Sequence, residues 1–203
     1  MDRRLLLEVF VTLLVIMDPP GAVPIFLVVT RDLSAGERRR AALIAVVTAF
    51  FVITLFAVAG GQILSYLHVT VPALQIAGGL LLLLVALELL QDNQVEPTAI
   101  TPEQRTTIGM VPLGTPMLAG PGAIVATIVF AQGIDSSGEW VSLGMGIVGV
   151  HIVLFIALRY SGFIRRIIRD AGILLVTRVA GVLLAAIAVQ MTADGVRAFV
   201  QAG

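Results

Sequence analysis

Long apolar stretches separated by short polar segments make up most of this chain. Six of the stretches are long enough to cross a bilayer, which takes about 20 helical residues. We number them span 1 to span 6, with predicted bounds of about 5–30, 41–67, 71–90, 108–131, 140–160 and 179–200. The pattern therefore predicts an all-α membrane protein with six transmembrane helices.

Helix-breaking residues interrupt spans 1 and 4 near their centres. Residues 18–24 of span 1 read DPPGAVP, and residues 114–124 of span 4 read GTPMLAGPGAI. Proline removes a backbone donor and clashes with the preceding turn, and glycine lacks the side chain that restricts the backbone. We therefore expect spans 1 and 4 to be broken mid-membrane, each as two half-helices joined by unwound backbone.

The residues around the two interruptions resemble each other. Residues 20–23 (PGAV) match residues 121–124 (PGAI) at a shift of 101, and residues 76–81 of span 3 match residues 179–184 of span 6 at a shift of 103. Each half holds three spans, so the second half enters the membrane from the opposite side. The sequence predicts two inverted-topology three-helix repeats with a cytoplasmic linker between them, at 1–92, 93–107 and 108–203.

Arginines are distributed unevenly among the predicted loops. Ten lie in the loops that follow spans 1, 3 and 5, and three lie on the other side. Because basic loops stay on the cytoplasmic side, we expect both termini on the non-cytoplasmic side of the cytoplasmic (inner) membrane. The arginine-rich residues 159–178 predict an amphipathic segment at the cytoplasmic surface, before span 6.

The composition narrows the classes of function. The 203 residues are 58% hydrophobic and 13% charged, and the mean hydropathy is +1.03, which leaves no length for a soluble enzyme domain beside six spans. A formal net charge of zero with dispersed arginines argues against nucleic-acid binding. The sequence holds no catalytic triad, metal-binding motif or phosphate loop, so it indicates neither an enzyme nor a cofactor.

Three stretches together resemble the MarC family of integral membrane proteins. They are residues 18–27 (DPPGAVPIFL), 112–124 (PLGTPMLAGPGAI) and 180–190 (AGVLLAAIAVQ). The family is similar to the larger group of six-helix amino-acid exporters typified by LysE. The resemblance implies a bacterial or archaeal cytoplasmic-membrane protein that transports small neutral amino acids such as glycine and alanine.

The two interruptions together form the predicted substrate site. Half-helices that begin near Gly21 and Gly122 present unpaired N–H groups, which suit the carboxylate of an amino acid. The Asp18 carboxylate and carbonyls near Met17 and Ala119 suit its ammonium group. The predicted substrate-binding residues are Asp18, Pro20, Gly21, Ala22, Thr115, Ala119, Gly120, Gly122 and Ala123.

Each polar candidate also has a purely structural interpretation. Asp18 either binds substrate or a coupling ion, or only N-caps the half-helix that follows it. Thr115 either bonds substrate or repairs carbonyls freed by the neighbouring prolines. His151, near the middle of span 5, is either a proton relay or an interhelical hydrogen-bonding residue.

The sequence thus predicts a secondary transporter of small neutral amino acids that works by alternating access around the paired breaks. H⁺ and Na⁺ are the candidate coupling ions. The alternatives are a non-transporting scaffold or accessory protein, and efflux of another small solute. Apolar side chains between the breaks favour a scaffold, whereas a polar site favours transport. The expected partners are the bilayer and a small neutral amino acid, and small-residue faces allow a homo-oligomer.

Overall fold

The structure is a computed structural model that describes residues 2–31, 33–91 and 118–201. The helices in these residues are α1 Arg3–Met17, α2 Pro19–Val29, α3 Ala35–Tyr66, α4 Val71–Leu90, α5 Pro121–Gln132, α6 Ser137–Arg159 and α7 Ser161–Gln201. Five helical stretches are long and apolar enough to cross a membrane, with α1 and α2 taken as one stretch, and α5 is a shorter apolar helix. The predicted all-α membrane class is confirmed.

Capping side chains explain where two of the long helices begin. Ser34 and Glu37 form a capping box at the start of α3, in which the Glu37 carboxylate accepts from the Ser34 N–H at 2.9 Å. The Thr70 hydroxyl accepts from the Ala73 N–H at 3.3 Å at the start of α4. These local signals fix α3 and α4 close to the bounds that the hydropathy pattern predicts.

The last helix differs from the prediction. We expected an amphipathic connection over residues 159–178 and a span from about Val179. The chain is helical on both sides of Arg169, which has φ 59° and ψ 167° and separates α7 into two helical parts at a kink. The part that is long and apolar enough to cross a membrane begins at Ala171, so the span begins earlier than predicted.

Glycines bring the helices into close contact. A Cβ at Gly195 of α7 would lie 2.9 Å from the backbone oxygen of Pro72 in α4, and a Cβ at Gly146 of α6 would lie 3.3 Å from the backbone oxygen of Leu6 in α1. Without a side chain at these positions the two backbones approach each other, which is how helices commonly associate in lipid.

Three groups of buried apolar residues hold the described helices together, and the smallest of them joins α2, α6 and α7 through Val23, Ala157 and Ile173. The largest one joins α1, α2, α3, α5 and α6, and the second joins α4 and α7 around Leu82 and Leu184. Ile16, near the end of α1, packs against the largest and the second group. The junction between α1 and α2 therefore lies where these two groups of helices meet.

Candidate functional site

Asp18 separates α1 from α2. Its backbone is left-handed, with φ 38° and ψ 68°, a conformation that Asp and Asn adopt more readily than most residues. Its N–H donates to the Leu14 carbonyl at 3.2 Å, and its carbonyl accepts from the Ala22 N–H at 3.0 Å. The chain thus leaves helical geometry at one residue and resumes it at Pro19.

The prolines after Asp18 leave backbone groups without their helical partners. The carbonyls of Val15 and Ile16 would accept from the residues four positions later, but these are Pro19 and Pro20, which have no N–H. The N–H of Gly21 has no backbone acceptor within the described ranges. The junction therefore presents two carbonyls and one amide to a side chain, water or ligand.

The Asp18 side chain is buried beside α7. It is 6% exposed, and although Asp18 holds the N-cap position of α2 it makes no cap hydrogen bond. Both its carboxylate oxygens and Oγ1 of Thr177 are buried without a hydrogen-bond partner among the described residues. A Cβ at Gly21 would overlap Oδ2 of Asp18 and lie 3.1 Å from Oγ1 of Thr177. The carboxylate and the hydroxyl therefore lie close together over the Cα of Gly21.

Thr177 is a residue that the sequence analysis missed. It lies within the segment that we interpreted as a surface connection, directly before Arg178. Its one available signal was a hydroxyl at the end of the apolar run 173–176. That signal is weak, because a threonine in a helix commonly bonds a carbonyl of its own preceding turn.

The second interruption, at the start of α5, is surrounded by apolar side chains. Gly120 caps α5 in an extended conformation, and its carbonyl accepts from the N–H groups of Ala123 at 3.0 Å and Ile124 at 3.2 Å. A Cβ at Gly122 would overlap Cδ2 of Leu82 on α4 and lie 3.6 Å from Cγ2 of Ile16 on α1. The start of α5 is therefore closely packed by apolar side chains.

The structure brings most of the predicted site residues into one region. Ile16, two residues before Asp18, lies beside Gly122, so the two interruptions are neighbours. Ala22, Ala119, Gly122 and Ala123 are buried, whereas Pro20, Gly21 and Gly120 are partly exposed. Thr115 and the part of span 4 before Leu118 lie outside the described residues.

Two of the predicted amide donors are already engaged. The N–H of Ala22 donates to the Asp18 carbonyl and that of Ala123 to the Gly120 carbonyl. This corrects the expectation that the amides at the starts of the two half-helices, Ala22 and Ala123 among them, are unpaired. The reason is that the first turn of each helix folds onto its own cap residue.

His151 makes the contacts of a packing residue. Its Nδ1 lies 2.7 Å from the Ile147 carbonyl and must carry the proton to donate there. Its ring meets Phe50 of α3 edge-on, with ring centroids 5.3 Å apart. Nε2 is buried and has no hydrogen-bond partner in the described part of the chain. No hydrogen bond between described residues joins His151 to Asp18.

Comparison with known sequences assigns the chain to a family. The family model for MarC family integral membrane proteins matches residues 4–200. The chain belongs to the MarC family. This MarC protein is 34% identical to a UPF0056 membrane protein of Aquifex aeolicus, over 95% of the chain and 92% of the relative. It is 33% identical to one of Methanocaldococcus jannaschii, over 97% and 98%.

The chain is also similar to a protein of Bacillus subtilis. This relative, the UPF0056 membrane protein YvbG, is 29% identical over 95% of the chain and 94% of its own length. No solved structure matches. MarC proteins occur in bacteria and archaea, so the chain is an integral multi-pass membrane protein of a family shared by both, and the resemblance inferred from the three sequence stretches is confirmed.

Proposed function

We propose that this MarC protein is a secondary transporter of small neutral amino acids, such as glycine and alanine, working by alternating access around its broken helices. One observation carries the proposal: the Asp18 carboxylate is buried without a described partner at an interruption in a membrane-spanning stretch. An unpaired buried charge is costly, so such a group is retained where a ligand or a proton neutralises it.

A zwitterionic amino acid complements the groups at the two interruptions. Its ammonium group suits the Asp18 carboxylate, and its carboxylate suits the positive ends of α2 and α5, where Gly21 and Gly122 lie. Leu82 and Ile16 pack tightly around Gly122 and limit the space beside it. This combination of polar ends and apolar walls supports a short, neutral side chain on the substrate.

The helix contacts support an architecture of two inverted repeats. In this architecture α1 and α2 form span 1, α3 and α4 form spans 2 and 3, α5 belongs to span 4, and α6 and α7 form spans 5 and 6. At the shift of 101, α5 is the counterpart of α2. The contact of α2 with α6 then corresponds to that of α5 with α3, and the contact of α2 with α7 corresponds to that of α5 with α4. The contacts of α4 with α7 and of α3 with α6 each join two equivalent spans, so the repeat relates each of these contacts to itself.

The apolar packing at Gly122 favours a second candidate function. If Leu82 and Ile16 fill the space between the interruptions in every state, the broken helices serve only to shape the bundle. The protein would then be a non-transporting scaffold or accessory protein of the membrane. Efflux of another small solute is a variant of the first proposal, because it uses the same site with a different substrate.

Uptake of radiolabelled glycine and alanine into proteoliposomes tests the proposal. We expect accumulation driven by a proton or sodium gradient, and an initial rate at least about tenfold lower for Asp18→Asn, because the variant loses a charge-assisted contact with the substrate. Asparagine keeps the left-handed backbone and the side-chain size, so the change isolates the charge.

A matched control is available on α7. Asp194 is an exposed carboxylate that contacts Gln190 and Arg197, and Asp194→Asn should transport at the wild-type rate. Folded wild-type protein that moves neither amino acid under either gradient would contradict the transport proposal and leave the scaffold. Equal uptake rates for wild type and Asp18→Asn would contradict a role of the Asp18 charge in substrate binding.

A further inference from the structure

Asp18 and Thr177 join the two halves of the chain through buried oxygen atoms. Asp18 lies between α1 and α2, and Thr177 lies on α7. All three side-chain oxygens are buried and lack hydrogen-bond partners among the residues that the structure describes. Oδ2 and Oγ1 both approach the point where a Cβ of Gly21 would stand. Two side chains from distant segments therefore bring a carboxylate and a hydroxyl to one place.

The charge of the Asp18 carboxylate is not balanced by a neighbouring basic side chain. Arg4 pairs with Glu8 and Arg197 with Asp194, and neither ion pair includes Asp18. Neither carboxylate oxygen of Asp18 has a hydrogen-bond partner among the described residues. An ionised Asp18 is therefore suited to a cation supplied from outside the described residues.

The chemistry of this cluster is that of a cation site. The carboxylate and the free carbonyls of Val15 and Ile16 accept but do not donate, and the Thr177 hydroxyl can accept as well. Hard cations and ammonium groups prefer such oxygen ligands. The carbonyls also lie at the negative end of α1, which stabilises positive charge.

We propose that Asp18 and Thr177, with the carbonyls of Val15 and Ile16, bind a small monovalent cation, either a sodium ion or the primary ammonium group of the substrate. This inference rests on the proposed transport function and adds one residue, Thr177, to the proposed binding site. Because Asp18 belongs to the first half of the chain and Thr177 to the second, the bound cation would stabilise the arrangement in which the two halves meet.

Thermal unfolding of the full-length protein in detergent tests the site without any transport measurement. The salts compared at equal concentration are sodium chloride, methylammonium chloride and choline chloride, the last supplying a cation too bulky for the site. We expect a concentration-dependent rise in Tm in sodium or methylammonium relative to choline. A rise in sodium alone assigns the site to the ion, and a rise in methylammonium alone assigns it to the substrate's ammonium group.

Substitutions at Thr177 decide whether the effect comes from this site. Thr177→Val removes the hydroxyl at constant shape, and we expect it to weaken the cation dependence by about tenfold or more. Thr177→Ser restores the hydroxyl and should restore the effect. Thr192→Val is the matched control on the same helix, because the Thr192 hydroxyl donates to the Ala188 carbonyl at 2.9 Å. It should respond as wild type does.

The outcomes separate this inference from the transport proposal. Equal Tm values in the three salts, or an unchanged cation effect in Thr177→Val, would overturn the site even if glycine uptake is found. A cation effect lost in Thr177→Val, in protein that takes up neither glycine nor alanine, would retain the site and contradict the transport function. Circular dichroism of each variant in choline chloride establishes that it is folded.

Discussion

Asp18 combines three properties that each cost free energy. Its φ of 38° places a non-glycine residue in the left-handed region, its side chain is 6% exposed, and neither carboxylate oxygen has a described partner. A left-handed residue costs roughly 1–2 kcal/mol, and an unpaired buried charge costs more. A residue kept only as a helix cap would use its side chain to offset these costs. Asp18 makes no such bond, which favours a ligand-binding role.

At the scale of single residues, the sequence pointed to Asp18 but not to Thr177. A carboxylate followed by two prolines is conspicuous within an apolar stretch, so its position can be inferred from its neighbours in the chain. Thr177 matters because of what it faces across the bundle, and helical periodicity gives no information about a contact between distant segments. The engagement of the Ala22 and Ala123 amides depends on the geometry of one turn, which composition does not determine.

His151 provides a prediction at the same scale. We expect His151→Leu to keep the rate of glycine uptake within about twofold of wild type and to keep the pH dependence of uptake. The His151 ring contacts Ile147 and Phe50, and removing its buried, unpaired Nε2 atom costs little free energy. The measurement is initial uptake by proteoliposomes over a series of pH values. A flattened or displaced pH profile in His151→Leu, with Asp18 intact, would identify His151 as the proton relay.

At the scale of helices, the predicted bounds are most accurate where a local sequence signal marks the boundary of the helix. Ser34 with Glu37, and Thr70 with Pro72, mark the starts of α3 and α4, and these helices lie close to their expected positions. Span 6 was predicted to start too late, because Arg178 was taken as lying before it, whereas the apolar helix begins at Ala171. The boundary between the arginine-rich part of α7 and the span is the kink at Arg169, whose positive φ no composition rule indicates.

The contact between α4 and α7 gives a prediction about stability. Gly195→Ala should lower the free energy of unfolding by about 1–3 kcal/mol, because the new methyl group would lie 2.9 Å from both the Pro72 backbone oxygen and Cγ1 of Ile76. The matched control is Gly144→Ala on α6, where a Cβ meets nothing within 4 Å. It should be neutral or stabilising by about 0.5–1 kcal/mol, since alanine favours a helix.

Thermal unfolding of both variants in the same detergent measures this difference. Because both changes add one methyl group to a helical glycine, their helix propensities change alike, and the comparison isolates the approach of α4 to α7. Equal Tm values for Gly195→Ala and Gly144→Ala would mean that the two backbones are not in close contact at Gly195.

At the scale of the whole molecule, the repeat and the membrane orientation rest on different observations. The repeat is inferred from two sequence matches at shifts of 101 and 103, and it stays a prediction. The orientation rests on the arginine distribution, because helix packing is the same whichever side of the bundle faces the cytoplasm. Sidedness is therefore a question for labelling from one side of the membrane.

The orientation is testable with single cysteines, since the chain has none of its own. Gly36, near the start of α3, and Gly133, directly after α5, both have open space around a new side chain. We expect a membrane-impermeant maleimide to label Gly133→Cys in intact cells and Gly36→Cys only after lysis, because Gly36 lies beside three of the arginines that mark the cytoplasmic side. Cysteine-free wild type sets the background. Labelling of Gly36→Cys in intact cells, with Gly133→Cys protected, would show the opposite orientation, with both termini in the cytoplasm.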